Sequence, residues 1–151
     1  MICGRRESFL QKASASLSEI SGKQCLYVVC DVRDAQACRS VVEFTMARLG
    51  RVDILVNGAA GNFLANAADL TPKGFKTVME IDTQGTFNMC HAIYPAMSKG
   101  GGGSVINISM TLHYGKQFEI LMHKFREIAD PHDCSRGYLV PGSRFRGEVC
   151  N

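Results

Sequence analysis

Four positions in this sequence hold side chains that could do chemistry. Asp31 ends the run CLYVVCD, the small-residue stretch Asn57-Gly58-Ala59-Ala60-Gly61 follows DILV, Asp82 sits in IDTQGTFN, and Ser109 follows VINI. Three of these lie just past apolar, β-rich runs, and in open parallel sheets ligands bind beyond the carboxyl ends of the strands. In DVRDAQA either aspartate could instead cap the next helix. The glycines and alanines of the second stretch let a backbone approach a ligand that bulkier side chains would hold away. Asp82 lies among apolar helix residues, where burial without a partner is costly, so a site role is favoured over a core role. Arg5 and Arg6 follow Met1-Ile2-Cys3, which looks like the remnant of a strand; by composition alone they read as a solvated helix start. Metal chemistry is not indicated. His91, His113, His123 and His132 have no ligand spacing, and the seven cysteines form no Cys-x-x-Cys pair.

The elements that would position these groups alternate. Residues 7 to 20 place Phe9, Leu10, Ala13, Leu17 and Ile20 at helical spacing before Gly22, predicting a helix packed on one face. CLYVVCDV has the length of a buried parallel strand. Helical periodicity returns from Asp34 to Leu49 and stops at Gly50, and VDILVN is a second buried strand. Thr71-Pro72 suits a helix start, with threonine as N-cap and proline at the first helical position. Pro95 is expected to kink or end that helix. The run KGGGGS reads as a flexible loop, and SVINIS as a third buried strand. Strands alternating with crossover helices predict an α/β fold, a parallel sheet of about three strands with helices on both faces. The expected domain spans 1–115. From 116 to 151 there is one amphipathic stretch and then a Pro/Gly/Arg-rich run, which predicts an irregular, poorly ordered tail.

Composition narrows the partners. A chain of 151 residues, 46% apolar, can bury the core of one domain. The formal charge of +3 is spread along the chain rather than gathered in a stripe, so nucleic acid is not an expected partner. No apolar run approaches the roughly 20 residues that span a bilayer, so no membrane insertion is expected. The odd cysteine count fits a reducing compartment better than a disulfide framework.

The segment LGRVDILVNGAAGNFLA resembles the Asn-x-Ala-Gly region of short-chain dehydrogenases/reductases, and NGAAGNF is similar to the 2,4-dienoyl-CoA reductase branch, closest to its peroxisomal members. GRR, CDVR, FKTVMEIDTQGTFNMC and GSVINISMTLHY extend the resemblance over residues 1–115. It implies a partial Rossmann-like, doubly wound sheet and NADPH as cofactor. Asp31 and Val32 would hold the adenine, Arg5 and Arg6 the 2′-phosphate, and Asn57, Gly58, Ala59, Ala60 and Ser109 the rest of the nucleotide site. Asp82 would help organise a water that delivers a proton, and Arg33, Phe63, Thr71, Pro72 and Lys73 would contact the acyl-CoA thioester. The implied reaction is NADPH-dependent reduction of a 2,4-dienoyl-CoA to a 3-enoyl-CoA in unsaturated fatty acid β-oxidation. The resemblance also implies homo-oligomers and a peroxisomal location. The chain ends Val-Cys-Asn rather than with a peroxisomal address such as Ser-Lys-Leu, which leaves a cytosolic location open.

The sequence departs from the resembled pattern in several places. Met110 stands at the catalytic serine position, as in dienoyl-CoA reductases, while His123 and Glu127 occupy the tyrosine and lysine positions. No Tyr-x-x-x-Lys occurs, and no glycine-rich turn follows a first strand. The expectation is therefore a fragment lacking the front and back of the complete enzyme. Two alternatives stand beside the reductase: an inactive product acting at most as a binding protein, which the missing lysine and glycine-rich turn lead one to expect for this exact chain, and another short-chain reductase such as a 3-oxoacyl reductase.

Overall fold

The computed structural model describes residues 1–61 and 69–108. Strands β1 (Ile2–Gly4), β2 (Tyr27–Val29), β3 (Ile54–Asn57) and β4 (Ser104–Asn107) alternate with helices α1 (Glu7–Ser21), α2 (Ala35–Leu49), α3 (Pro72–Met79) and α4 (Gly85–Lys99). Met1-Ile2-Cys3, read from the sequence as a strand remnant, does form a strand. Phe63, Ser109 and the 116–151 segment lie outside the described residues.

Local signals set most helix ends. Asp34 accepts from the backbone N–H groups of Gln36 and Ala37, and Gly50 closes α2 in the left-handed conformation at φ 76°, which glycine adopts without a Cβ penalty. Thr71 caps α3, with Pro72 at its first position. Pro95, however, does not end its helix. α4 runs on to Lys99, because Ile93 and Met97, buried at 5% and 0% exposure, fasten its last turns to the core. A π-helical turn, Glu80–Gln84, joins α3 to α4. Nothing in the hydrophobic spacing announced it.

The strands pair in parallel, Ile2 with Tyr27 through Gly4 with Val29, and Ile54 with Ser104 through Asn57 with Asn107. Among the described residues no ladder joins β1 to β3, so there are two two-stranded sheets. They share one core. Cys30, Cys38, Val41 and Val42 from one half pack with Leu55, Met89, Ile93, Met97 and Val105 from the other, under α2 and α4. Between the facing edges of β1 and β3 runs a groove of about 990 Å³.

Two packing expectations need correction. The strands are buried on one face only: Leu55 and Val105 are covered, whereas Ile54, Val56, Ile106 and Ile108 are exposed, because the described helices that share the core all lie on the Leu55 side. Likewise α1 buries Leu10 alone, leaving Phe9, Leu17 and Ile20 exposed. It docks instead through Ser14, which donates to the Cys25 carbonyl, and Ser18, which accepts from the Cys25 N–H.

Candidate functional site

Both strand pairs deliver their carboxyl ends to the same groove. Arg5 and Arg6 leave β1, Asp31 and Val32 leave β2, and Asn57 through Ala60 leave β3, and all of them line it. Right-handed parallel connections put the strand ends on one side, so residues distant in sequence meet without any local motif.

Asp34, not Asp31, caps α2, so the Asp31 carboxylate is available at the groove. It is not bare. Arg33 Nε lies 3.0 Å from each of its oxygens and Nη2 2.5 Å from Oδ2, while the Arg33 N–H donates to Oδ1 at 3.1 Å. These bonds hold the Asp31 carboxyl below its ordinary range, with the positive charge of Arg5 adding to the effect. The guanidinium of Arg33, expected at the acyl-CoA, is thus turned toward Asp31. Arg6 stacks over the Phe9 ring, 3.9 Å from its centre.

Asn57 fixes the root of the small-residue loop. Its amide donates to Asn107 Oδ1 at 2.9 Å and lies 3.4 Å from Cys90 Sγ. At the loop's far end Gly61 donates its N–H to Asp82 Oδ1 at 2.8 Å. Asp82 is 7% exposed and sits within the π-turn, a distortion that concentrates at functional sites. Gly61 is held so close to Ile81 that a Cβ there would fall 2.5 Å from the isoleucine Cδ1. The cost of burying Asp82 is thus met by a bond to the loop itself, and the loop cannot move without the helix.

Thr71, Pro72 and Lys73 form the exposed start of α3, with Thr71 Oγ1 accepting from Gly74 N at 3.1 Å. The structure does not bring them into the groove. Sequence reasoning also missed Asn88, whose buried amide reaches the turn after Asp31. Its one signal was a polar residue on the inner face of an apolar helix. Burial, reinforced by the neighbouring thiols of Cys38 and Cys3, pushes Cys30 up to about 12, so this cysteine beside Asp31 is no nucleophile. Among the described residues no cluster of three ligating side chains could hold a metal, and no helix is long and apolar enough to cross a membrane.

The family described as short chain dehydrogenase matches residues 1–118. A (3E)-enoyl-CoA-producing peroxisomal 2,4-dienoyl-CoA reductase of Arabidopsis thaliana is 51% identical over 121 residues, 75% of this chain and 40% of that protein. The enzyme of the same name from Danio rerio is 45% identical over 117 residues, 78% and 39% of the two chains. This chain therefore spans about 40% of the length of these curated relatives. Among solved structures, a short chain dehydrogenase from Bacillus anthracis superposes with a TM-score of 0.75 at 31% identity, over 84% of this chain and 53% of that one. An actinorhodin polyketide ketoreductase solved with NADPH gives a TM-score of 0.76 at 26% identity, over 83% and 49%.

Proposed function

The chain belongs to the short-chain dehydrogenase family, and we propose that it serves the NADPH-dependent reduction of a 2,4-dienoyl-CoA to a 3-enoyl-CoA. The observation that carries this reading is the buried Asp82 carboxylate bonded to Gly61 N, at the end of the small-residue loop that borders the groove. A carboxylate in that place, held in one orientation and shielded from bulk water, can hold a water and pass it protons.

The residues present suit the adenosine half of the cofactor. Asp31 offers an acceptor for the adenine amino group at a strand end, Val32 an apolar surface, and Arg5 and Arg6 positive charge for a 2′-phosphate, which guanidinium groups bind in bidentate fashion. Asn57 to Ala60 form a wall without bulky side chains, where a ribose can lie close. NADPH, when bound, would supply a hydride for the dienoyl thioester. By resemblance, Arg33 and Lys73 are cations suited to CoA phosphates, Phe63, Thr71 and Pro72 match positions that contact the acyl-CoA, and Ser109 matches a cofactor-binding position. The names of the peroxisomal relatives support a peroxisomal location.

The test is a fluorescence titration of the purified chain with NADPH, with Asp31→Ala as control and 2,4-hexadienoyl-CoA added afterwards. Saturable binding that the control weakens, followed by turnover, supports the reading. No binding by a folded chain overturns it. A second reading, a chain that binds without turnover, is favoured by His123 and Glu127 at the tyrosine and lysine positions, since a lysine there would assist the oxyanion. Binding without NADPH consumption is its signature.

A further inference from the structure

Asn88 has no part in the scheme above, yet its amide ties together segments more than 50 residues apart in sequence. It lies on α4, 7% exposed, and its side-chain amide donates to two successive carbonyls 55 and 56 residues away, Val32 at 2.8 Å and Arg33 at 3.3 Å. Three residues earlier, on the same helical face, Gly85 is packed so closely that a Cβ would sit 2.5 Å from Val32 Cγ2. Side chains three apart on a helix share a face. Gly85 therefore seats the Val32 side chain while Asn88 holds the two backbone carbonyls that follow it, those of Val32 and Arg33. One turn further back, Asp82 grips Gly61.

We propose that Asn88 is a positioning residue for the nucleotide. With Gly85 it makes α4 a bracket that sets the Asp31–Val32–Arg33 turn relative to the Asn57–Gly61 loop, so that adenine and ribose are read by two strand ends held at a fixed separation. This rests on the nucleotide reading given above. The chemistry is specific to a side-chain amide: a carboxylate at 88 would repel both carbonyls, and leucine would leave two carbonyls facing apolar surface.

The experiment compares Asn88→Leu with Met97→Ala, a core deletion near the end of the same helix that lowers stability and lies outside the groove lining. In the full chain, Asn88→Leu is expected to weaken NADPH binding about tenfold, the size of a lost buried hydrogen-bond donor. Met97→Ala is expected to leave NADPH binding within about twofold. In an Asp31→Ala background Asn88→Leu should add nothing further, since both act through one turn. Equal weakening by Asn88→Leu and Met97→Ala, or full additivity with Asp31→Ala, would overturn the proposal. A readout free of nucleotide separates the two ideas. Hydrogen exchange at Arg33 and Asp34, whose N–H groups bond Asp31 Oδ1 and Asp31 O, should quicken about tenfold in Asn88→Leu and stay unchanged in Met97→Ala. Unchanged exchange in Asn88→Leu refutes the bracket. A wild-type chain that fails to bind NADPH while showing the exchange effect refutes the nucleotide reading alone.

Discussion

The sequence DVRD offers two aspartates three residues apart, and the structure assigns them different work, so exchanging each for alanine should separate stability from binding. Asp34 Oδ1 accepts from Gln36 N at 2.7 Å and Ala37 N at 3.3 Å. Losing such a cap costs ~1 kcal/mol, up to about 2, and losing a carboxylate at the positive end of the helix dipole costs roughly 0.3–1 more. For a chain of this size each kcal/mol is about 2–4 °C in Tm, so Asp34→Ala should melt about 3–12 °C lower by circular dichroism. Asp31 makes its ion pair with Arg33 at 30% and 38% side-chain exposure, and an exposed pair contributes about 0–1 kcal/mol. Asp31→Ala should therefore lose about 4 °C at most, and less than Asp34→Ala. NADPH titration should give the opposite order: about tenfold or greater weakening for Asp31→Ala, as for loss of a charge-assisted bond, and little change for Asp34→Ala. If Asp31→Ala melts lower than Asp34→Ala and binds NADPH as tightly as wild type, the assignment of the two carboxylates is wrong.

Met97→Ala empties a fully buried site and should cost about 2–5 kcal/mol, seen as a large drop in urea midpoint; a loss under ~1 kcal/mol would mean the end of α4 is not anchored as described. Because burial raises Cys30 to about 12 and Cys38 in the same direction, neither should react with a thiol reagent at pH 8 until the chain unfolds, and mass mapping of labelled peptides would expose an exception. The Asp31 carboxyl is depressed by Arg33, so the pair's small contribution is present above the ordinary carboxylate range and disappears as pH falls below about 4. Arg33→Ala should accordingly flatten the acid limb of a Tm-versus-pH curve, and an unchanged limb would remove the pair from the account. The exposed stripe of Ile54, Val56, Ile106 and Ile108, beside strand edges that carry no further ladder among the described residues, predicts self-association. Light scattering should fall for Ile54→Lys, and a wild-type chain monomeric at roughly 100 µM would refute the prediction.

What was legible in the sequence was whatever depends on neighbours along the chain. The period of α2 and its stop at Gly50, Thr71-Pro72 at the start of α3, and the apolar runs of β2, β3 and β4 all follow from local stereochemistry, and their order gave the parallel α/β class. What was not legible depends on which faces meet. The exposed sides of Ile54 and Ile20 look in sequence like any core position, since hydrophobic spacing reports a face able to be buried and not whether it is. Pro95 reads as a breaker because its lost bond is local, while the burial of Ile93 and Met97 that offsets it is not. In the candidate site, Asp31, Asn57 and Asp82 could be found as polar groups in apolar company. The Arg33 contact with Asp31 depends on how that turn orients its side chains, while the Asp82 bond to Gly61 and the reach of Asn88 to Val32 needed the fold, because nothing in spacing says which residues 20 or 50 positions apart will touch.

The two strand pairs also constrain how the molecule comes together. Neither pair is a hairpin. Ile2 reaches Tyr27 only across α1, and Ile54 reaches Ser104 only after the loop, α3, the π-turn and α4 have all been traversed. Loop closure must precede any ladder bond, so strand pairing arrives late and the helices arrive early. α2 is capped at one end, stopped at the other and in contact with α4 through the shared core, which makes it the natural nucleus. Substitutions in its cap should then slow folding, whereas substitutions in β4, such as Val105→Ala, should act mainly by hastening unfolding.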